Sequence, residues 1–148
     1  MNSISRRKAL GTLTAVSASV ALTGCMPVKS NPGASLASSG VRVGALSDFP
    51  QVGSYKELEL AGTPAVVTRT ATESKGGVSS GDVHLIALSR VCTHLGCLVN
   101  APKSNVLGCA CHGSLFDAST GAVKQGPAGT PLATFKLEIR SDGVYAVP

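Results

Sequence analysis

The segments Cys92-Thr-His94-Leu-Gly-Cys97 and Cys109-Ala-Cys111-His112-Gly-Ser114 constrain this chain more than any other feature, because the fold has to bring two loops together around them. They hold four of its five cysteines and two of its three histidines. Packing a β-rich core needs no such gathering of soft ligands. The clustering marks a metal site, and one suited to carrying electrons.

Length and composition set how much protein surrounds that site. The chain has 148 residues, one domain's worth, of which about the first 40 do not read as folded domain and about a hundred remain. With 17 Gly, 8 Pro, no Trp, two Tyr and three Phe, large side chains are scarce. A domain of that size is marginal on burial alone and gains from covalent or metal staples. The formal charge of +5 invites a nucleic-acid reading, but Arg6, Arg7 and Lys8 supply much of it. From Cys25 onward ten Lys and Arg face eight Asp and Glu. They are scattered singly, without interleaved aromatics, which argues against nucleic acid as a partner.

The basic residues belong instead to a targeting segment over residues 1–24. A charged start, an uncharged stretch from Ala9 to Val28 and small residues before Cys25 are the parts of an export signal. The paired arginines resemble a twin-arginine signal, the route for proteins already folded, with Ala9 where that pattern often has Phe. Leu22-Thr-Gly-Cys25 resembles a lipobox, which would leave Cys25 as a lipidated N-terminus. An uncleaved anchor is the other reading, since about 20 residues span a bilayer; the many Thr and Ser in the stretch weigh against it. Either way the domain is tethered to the outer, periplasmic face of a bacterial cytoplasmic membrane. Residues 25–40, rich in Ser, Gly, Pro and Ala, read as a flexible tether, and the domain as 41–148.

From Val41 short alternating runs follow: 41–45, 56–60, 65–70, 83–89, 134–140 and 144–147. Turn signals such as Lys75-Gly-Gly77 and Ser80-Gly-Asp82 divide them. Phe135, Leu137 and Ile139 against Lys136, Glu138 and Arg140 give a period of two, and Asp142-Gly143 is a strong hairpin signal. No amphipathic helix is evident. The fold predicted is all-β, an antiparallel β-sandwich with the motif segments in loops between strands.

Cys25 belongs to the export signal, which leaves an even four cysteines. A ligand set of Cys92, His94, Cys109 and His112 follows the spacing Cys-x-His, fourteen residues, Cys-x-x-His, one thiolate and one imidazole from each loop. Cys97 and Cys111 are then spare, and two spare cysteines in an exported domain favour the oxidised form. Two Cys and two His also suit a structural zinc module. Against zinc stand the extra cysteine in each loop, the Gly113-Ser114 pair and the folded-export signal. His84, within an apolar run, reads as a strand residue.

These residues resemble the Rieske iron-sulfur proteins, particularly the subunits of quinol-oxidising cytochrome bc complexes, which share Cys-Thr-His-Leu-Gly-Cys, Cys-x-Cys-His-Gly-Ser and a later Gly126-Pro127-Ala128. The match is specific over residues 91–131, the region expected to form a two-loop cluster-binding subdomain. The resemblance implies a [2Fe-2S] cluster with Cys92 and Cys109 on one iron and His94 and His112 on the other, and a Cys97–Cys111 disulfide joining the loops. It implies a sulfide-directed hydroxyl for Ser114, a shielding role for Leu95 and a covering loop at Pro127. High-potential relatives usually carry Tyr where Phe116 stands, so a lowered potential is expected.

Neutral imidazoles in place of two thiolates lower the negative charge on such a cluster, and Rieske centres reach roughly −150 to +300 mV. Imidazole nitrogens also bind protons, which couples proton to electron uptake. The function expected is one-electron transfer between quinol and a cytochrome, with no catalytic chemistry of the chain's own. The small subunit of an arsenite oxidase type enzyme and a free lipoprotein electron carrier are alternatives. An oxygenase would need a further large domain for which this chain has no room.

Overall fold

The computed structural model describes residues 40–148. The 1–24 export segment, Cys25 and all of the tether but Gly40 lie outside the described residues. Ten strands follow in order: β1 (Val41–Gly44), β2 (Tyr55–Leu60), β3 (Thr63–Thr70), β4 (Val78–Ser80), β5 (Val83–Ser89), β6 (Val106–Gly108), β7 (Leu115–Asp117), β8 (Val123–Gln125), β9 (Thr134–Arg140) and β10 (Gly143–Val147). The six longer ones coincide with the alternating runs. β4, β6, β7 and β8 have three residues each, too few for a period of two to show in the sequence. Among the described residues the sole helical element is a 3-10 turn, Leu46–Asp48, and no helix there is long and apolar enough to cross a membrane.

All strand pairs are antiparallel. Seven strands form one sheet in the order β1-β10-β9-β5-β3-β2, with β4 added on β5, and β6-β7-β8 form a second. The large sheet curls until its edge strands β1 and β2 approach, and nearby Lys56 Nζ lies 3.4 Å from Asp48 Oδ2. The expected sandwich is thus realised as a barrel-like curled sheet with a small sheet packed on it. The β9–β10 hairpin signalled by Asp142-Gly143 is present, with its two-residue loop one position earlier: Arg140 pairs with Gly143 across Ser141 and Asp142.

Two hydrophobic cores share one strand pair. Val67, Leu85 and Ala87 face the inside of the curl with Val43, Phe49, Leu60, Leu137 and Val144. Their neighbours Val66, Ile86 and Leu88 face the other way, onto Leu107, Phe116, Leu132, Cys92 and Cys109. Burial on both faces explains why β5 reads as an unbroken apolar run from Leu85 to Leu88 while β9 alternates. Where β5 ends, Arg90 fastens the first motif loop to the barrel: its Nε donates to the Val99 carbonyl at 2.8 Å, and its Nη1 pairs with Glu57 of β2.

Candidate metal centre

Both motif loops close with the same two backbone hydrogen bonds. In the first, the Cys92 N–H donates to the Cys97 carbonyl and the Gly96 N–H to the Cys92 carbonyl, each at 2.8 Å. In the second, the Cys109 N–H donates to the Ser114 carbonyl at 2.8 Å and the Gly113 N–H to the Cys109 carbonyl at 3.0 Å. Each turn requires a left-handed residue at its fifth position, supplied by Gly96 (φ +76°) and Gly113 (φ +75°). Cys92 and Cys109 therefore occupy equivalent places, and the histidines follow two and three residues later. The strands β6 and β7 flank the second loop, and the Asn100 N–H donates to the Gly108 carbonyl at 2.8 Å, setting the two loops side by side.

A disulfide joins Cys97 to Cys111 across the loops, as expected. Cys92 and Cys109 are free thiols, buried in the same core. Burial pushes the Cys92 thiol up and is the largest single influence. The backbone N–H of His94, the Cys109 thiol, the Ser114 hydroxyl and the backbone N–H of Leu95 together outweigh it and hold the thiol below its usual range. The rings of His94 and His112 meet edge to face with centroids 4.9 Å apart. His112 is exposed and His94 half-buried, and the His94 Nδ1 is buried without a hydrogen-bond partner. An orphaned buried ring nitrogen in the same loop as a thiol held below its usual range is the arrangement a metal group would satisfy.

Ser114 is fully buried. Its Oγ accepts from the Ala128 N–H at 3.2 Å while its hydrogen serves the Cys92 sulfur. That bond ties the second loop to a third segment, 126–131. Gly126 (φ +96°) packs so closely there that a Cβ would stand 2.6 Å from the Ser114 Cα and 2.9 Å from the Gly113 carbonyl oxygen. Thr93 Oγ1 donates to the Thr130 carbonyl at 2.6 Å, tying the first loop to the same segment. Sequence reasoning singled out neither Thr93 nor Arg90, because their partners are remote in the chain; the position of Thr93 between two candidate ligands was the available signal.

Leu95 exposes 68% of its surface, so ordinary packing is not its role, and Pro127 is exposed beside buried Ala128. Phe116 is fully buried in the core that contains Cys92 and Cys109. His84 sits in β5, as expected, with its Nδ1 2.8 Å from Ser79 Oγ. A cavity of about 540 Å³ lies apart from the motif loops, lined by Val52, Thr68, Pro102, Asn105 and Ala118 among others and by no ionisable side chain.

Among the described residues, the group of three or more metal-binding donor atoms lying within 4.8 Å of one another is Cys97, Cys109 and Cys111. Two of those sulfurs are spent in the disulfide, so that trio offers a single thiol. The thiols of Cys92 and Cys109 meet as one pair and the imidazoles of His94 and His112 as another, without the four closing into a single tight shell. Two thiolates on one side and two imidazoles on the other suit a two-iron cluster better than one tetrahedral zinc ion.

Comparison with known proteins agrees with that geometry. The Rieske [2Fe-2S] domain family matches residues 39–136. The cytochrome b6-f complex iron-sulfur subunit of Chlorobaculum thiosulfatiphilum is 42% identical over 72 residues, 48% of this chain and 36% of that protein. The subunit of the same description from Synechococcus elongatus is 46% identical over 63 residues, 41% of this chain and 34% of that protein. The chain thus spans about a third of the length of the curated relatives it matches. The crystal structure of the cyanobacterial plasma membrane Rieske protein PetC3 from Synechocystis PCC 6803 superposes with a TM-score of 0.57 at 28% identity, over 73% of this chain and 99% of that one. The chain belongs to the Rieske [2Fe-2S] family, and a [2Fe-2S] cluster is its cofactor.

Proposed function

We propose that this chain transfers single electrons as the iron-sulfur subunit of a quinol-oxidising, cytochrome bc-like membrane complex, with Cys92 and Cys109 as ligands to one iron and His94 and His112 as ligands to the other. The observation that carries the reading is the division of the site between inside and outside: both thiols are buried, while His94 is half-buried and His112 exposed. When bound, the cluster supplies one-electron chemistry at a potential far above that of an all-cysteine ferredoxin.

The side chains around it complete the function. His94 would hold the iron through its buried, unpartnered Nδ1, and its other ring nitrogen would then be the one free to carry a proton. His112 would hold the iron from a more exposed position, its ring edge-to-face with that of His94. Cys92 and Cys109 lie where water is excluded, and the disulfide keeps the two loops in register. Quinol gives up protons together with electrons, so an imidazole that binds a proton as the site is reduced is a fitting acceptor.

The surrounding surface favours a partner met at short range. Residues 91–102, 104–116 and 125–135 contain no Asp, Glu, Lys or Arg, and Val91, Leu95 and Leu98 are exposed among them. Motif loops poor in charge that carry three exposed large apolar side chains suit docking by desolvation more than steering by charge. The relatives' description as cytochrome b6-f subunits supports the same setting, and the 1–24 segment supports a membrane-tethered, periplasmic position. Mild-detergent extraction of a C-terminally tagged chain tests it. Co-purification with a b-type cytochrome is expected. A large molybdenum subunit, or no partner at all, would overturn the assignment. The midpoint potential should also fall as pH rises above neutrality, and a pH-independent potential would contradict histidine ligation.

A further inference from the structure

The disulfide has a third sulfur beside it. The Sγ atoms of Cys97, Cys109 and Cys111 all lie within 4.8 Å of one another; the first and last are bonded, and Cys109 is a free thiol. Thiol–disulfide exchange requires a thiolate with access to a disulfide sulfur, and its direction depends on which sulfur is attacked and which leaves. The surroundings make that choice here. Cys97 packs against the core that holds Cys109, whereas Cys111 is exposed. Attack on Cys97 keeps the two loops joined and releases the leaving sulfur into water. Attack on Cys111 would bond two cysteines separated by Ala110 alone and strand a thiolate against the core.

We propose that in the cluster-free chain Cys109 exchanges into the disulfide. The Cys109 sulfur, as thiolate, bonds to Cys97 Sγ and the Cys97–Cys111 bond breaks. Its electron pair departs on Cys111, which takes up the proton that Cys109 gave to solvent. One disulfide is lost and one is made, so the step needs no oxidant. The proposal rests on the reading that Cys109 is a cluster ligand. A thiolate bonded to iron is not available for attack, so loading protects the native pairing. A chain that exchanges before loading has lost a ligand and cannot be loaded until the exchange reverses. Exchange and loading therefore compete for the same sulfur, and prompt loading preserves the ligand set.

The test follows the pairing directly. Cluster-loaded full chain is stripped of iron anaerobically with a chelator and brought to neutral pH. Samples are quenched with acid at intervals, alkylated, digested and mapped by mass spectrometry, with circular dichroism reporting whether the β-fold persists. In the stripped protein a Cys97–Cys109 bond with the alkyl tag on Cys111 should grow with time, while loaded protein keeps Cys97–Cys111 alone. Stripped protein that retains only Cys97–Cys111 would overturn the proposal. So would pairs involving Cys92 at comparable yield, the mark of an unfolded chain reshuffling, or equal exchange in loaded protein. Iron content of Cys109→Ser decides the ligand reading separately: a full complement of iron there would remove that role and leave the exchange result standing by itself.

Discussion

Removing the Ser114 hydroxyl separates its structural work from its electronic work. In Ser114→Ala the Ala128 N–H loses its acceptor and the Cys92 sulfur loses a donor, both inside the protein. An unpaired buried group costs about 1–3 kcal/mol. For a domain of this size 1 kcal/mol corresponds to roughly 4 °C in Tm, so a fall of roughly 4–12 °C is expected. The redox effect has its own scale. A hydrogen bond to a charged partner contributes about 1.5–3 kcal/mol, and only the part that grows when the site gains an electron moves the potential. Taking that part as about 1 kcal/mol, and about 59 mV for each tenfold in a one-electron couple, the midpoint potential drops by about 40 mV. Protein-film voltammetry and calorimetry on loaded protein read the two effects independently. A melting shift with the potential unmoved would show that the hydroxyl only holds the 126–131 segment, and would refute the electronic assignment.

Phe116→Tyr places a donor in the core beside the two thiols and should raise the potential; an unchanged or lower value in voltammetry would count against the placement of Phe116. Gly126→Ala forces a Cβ within 2.6 Å of the Ser114 backbone at φ +96°, where strain and overpacking together cost about 3 kcal/mol or more. Stability near that of the parent in urea unfolding would show that the segment is looser than described. At Asp117 burial pushes the carboxyl up, but the Ser119 hydroxyl and amide and Lys124 outweigh it and hold its pKa below the ordinary value. Its stabilisation is therefore complete above the ordinary carboxylate range and disappears as pH falls through the depressed folded value. Asp117→Asn should flatten the acid limb of a stability–pH series, and an identical slope would remove Asp117 as its source.

The residues proposed as cluster ligands stand out in the sequence because their chemistry is rare: few chains need two Cys-x-His-like segments fourteen residues apart, whatever their fold. The longer strands were legible either because one face meets a core, as the Phe135, Leu137 and Ile139 series does in β9, or because both do, as in the apolar run of β5. β6, β7 and β8 were not. Leu107, Phe116 and Val123 contribute one inward residue per strand, and a single residue has no period. Their pairing is held by Phe116 against Leu107, by the disulfide and by the loops they carry, all of which are tertiary facts. Arg90 and Thr93 escaped for the same reason. A lone Arg or Thr in a loop says nothing until Glu57 and Thr130 are brought beside it.

The strand pair β3–β5, buried on both faces, has a consequence for how the molecule opens. Val66 and Leu88 serve one core while Val67 and Ala87, next to them in the chain, serve the other. Neither lobe can melt without taking a wall from its neighbour. Hydrogen exchange at the amides of β3 and β5 should thus proceed only through global opening, at the slowest rates in the domain. Unfolding then becomes one cooperative event, in which the metal loops are lost together with the barrel rather than ahead of it.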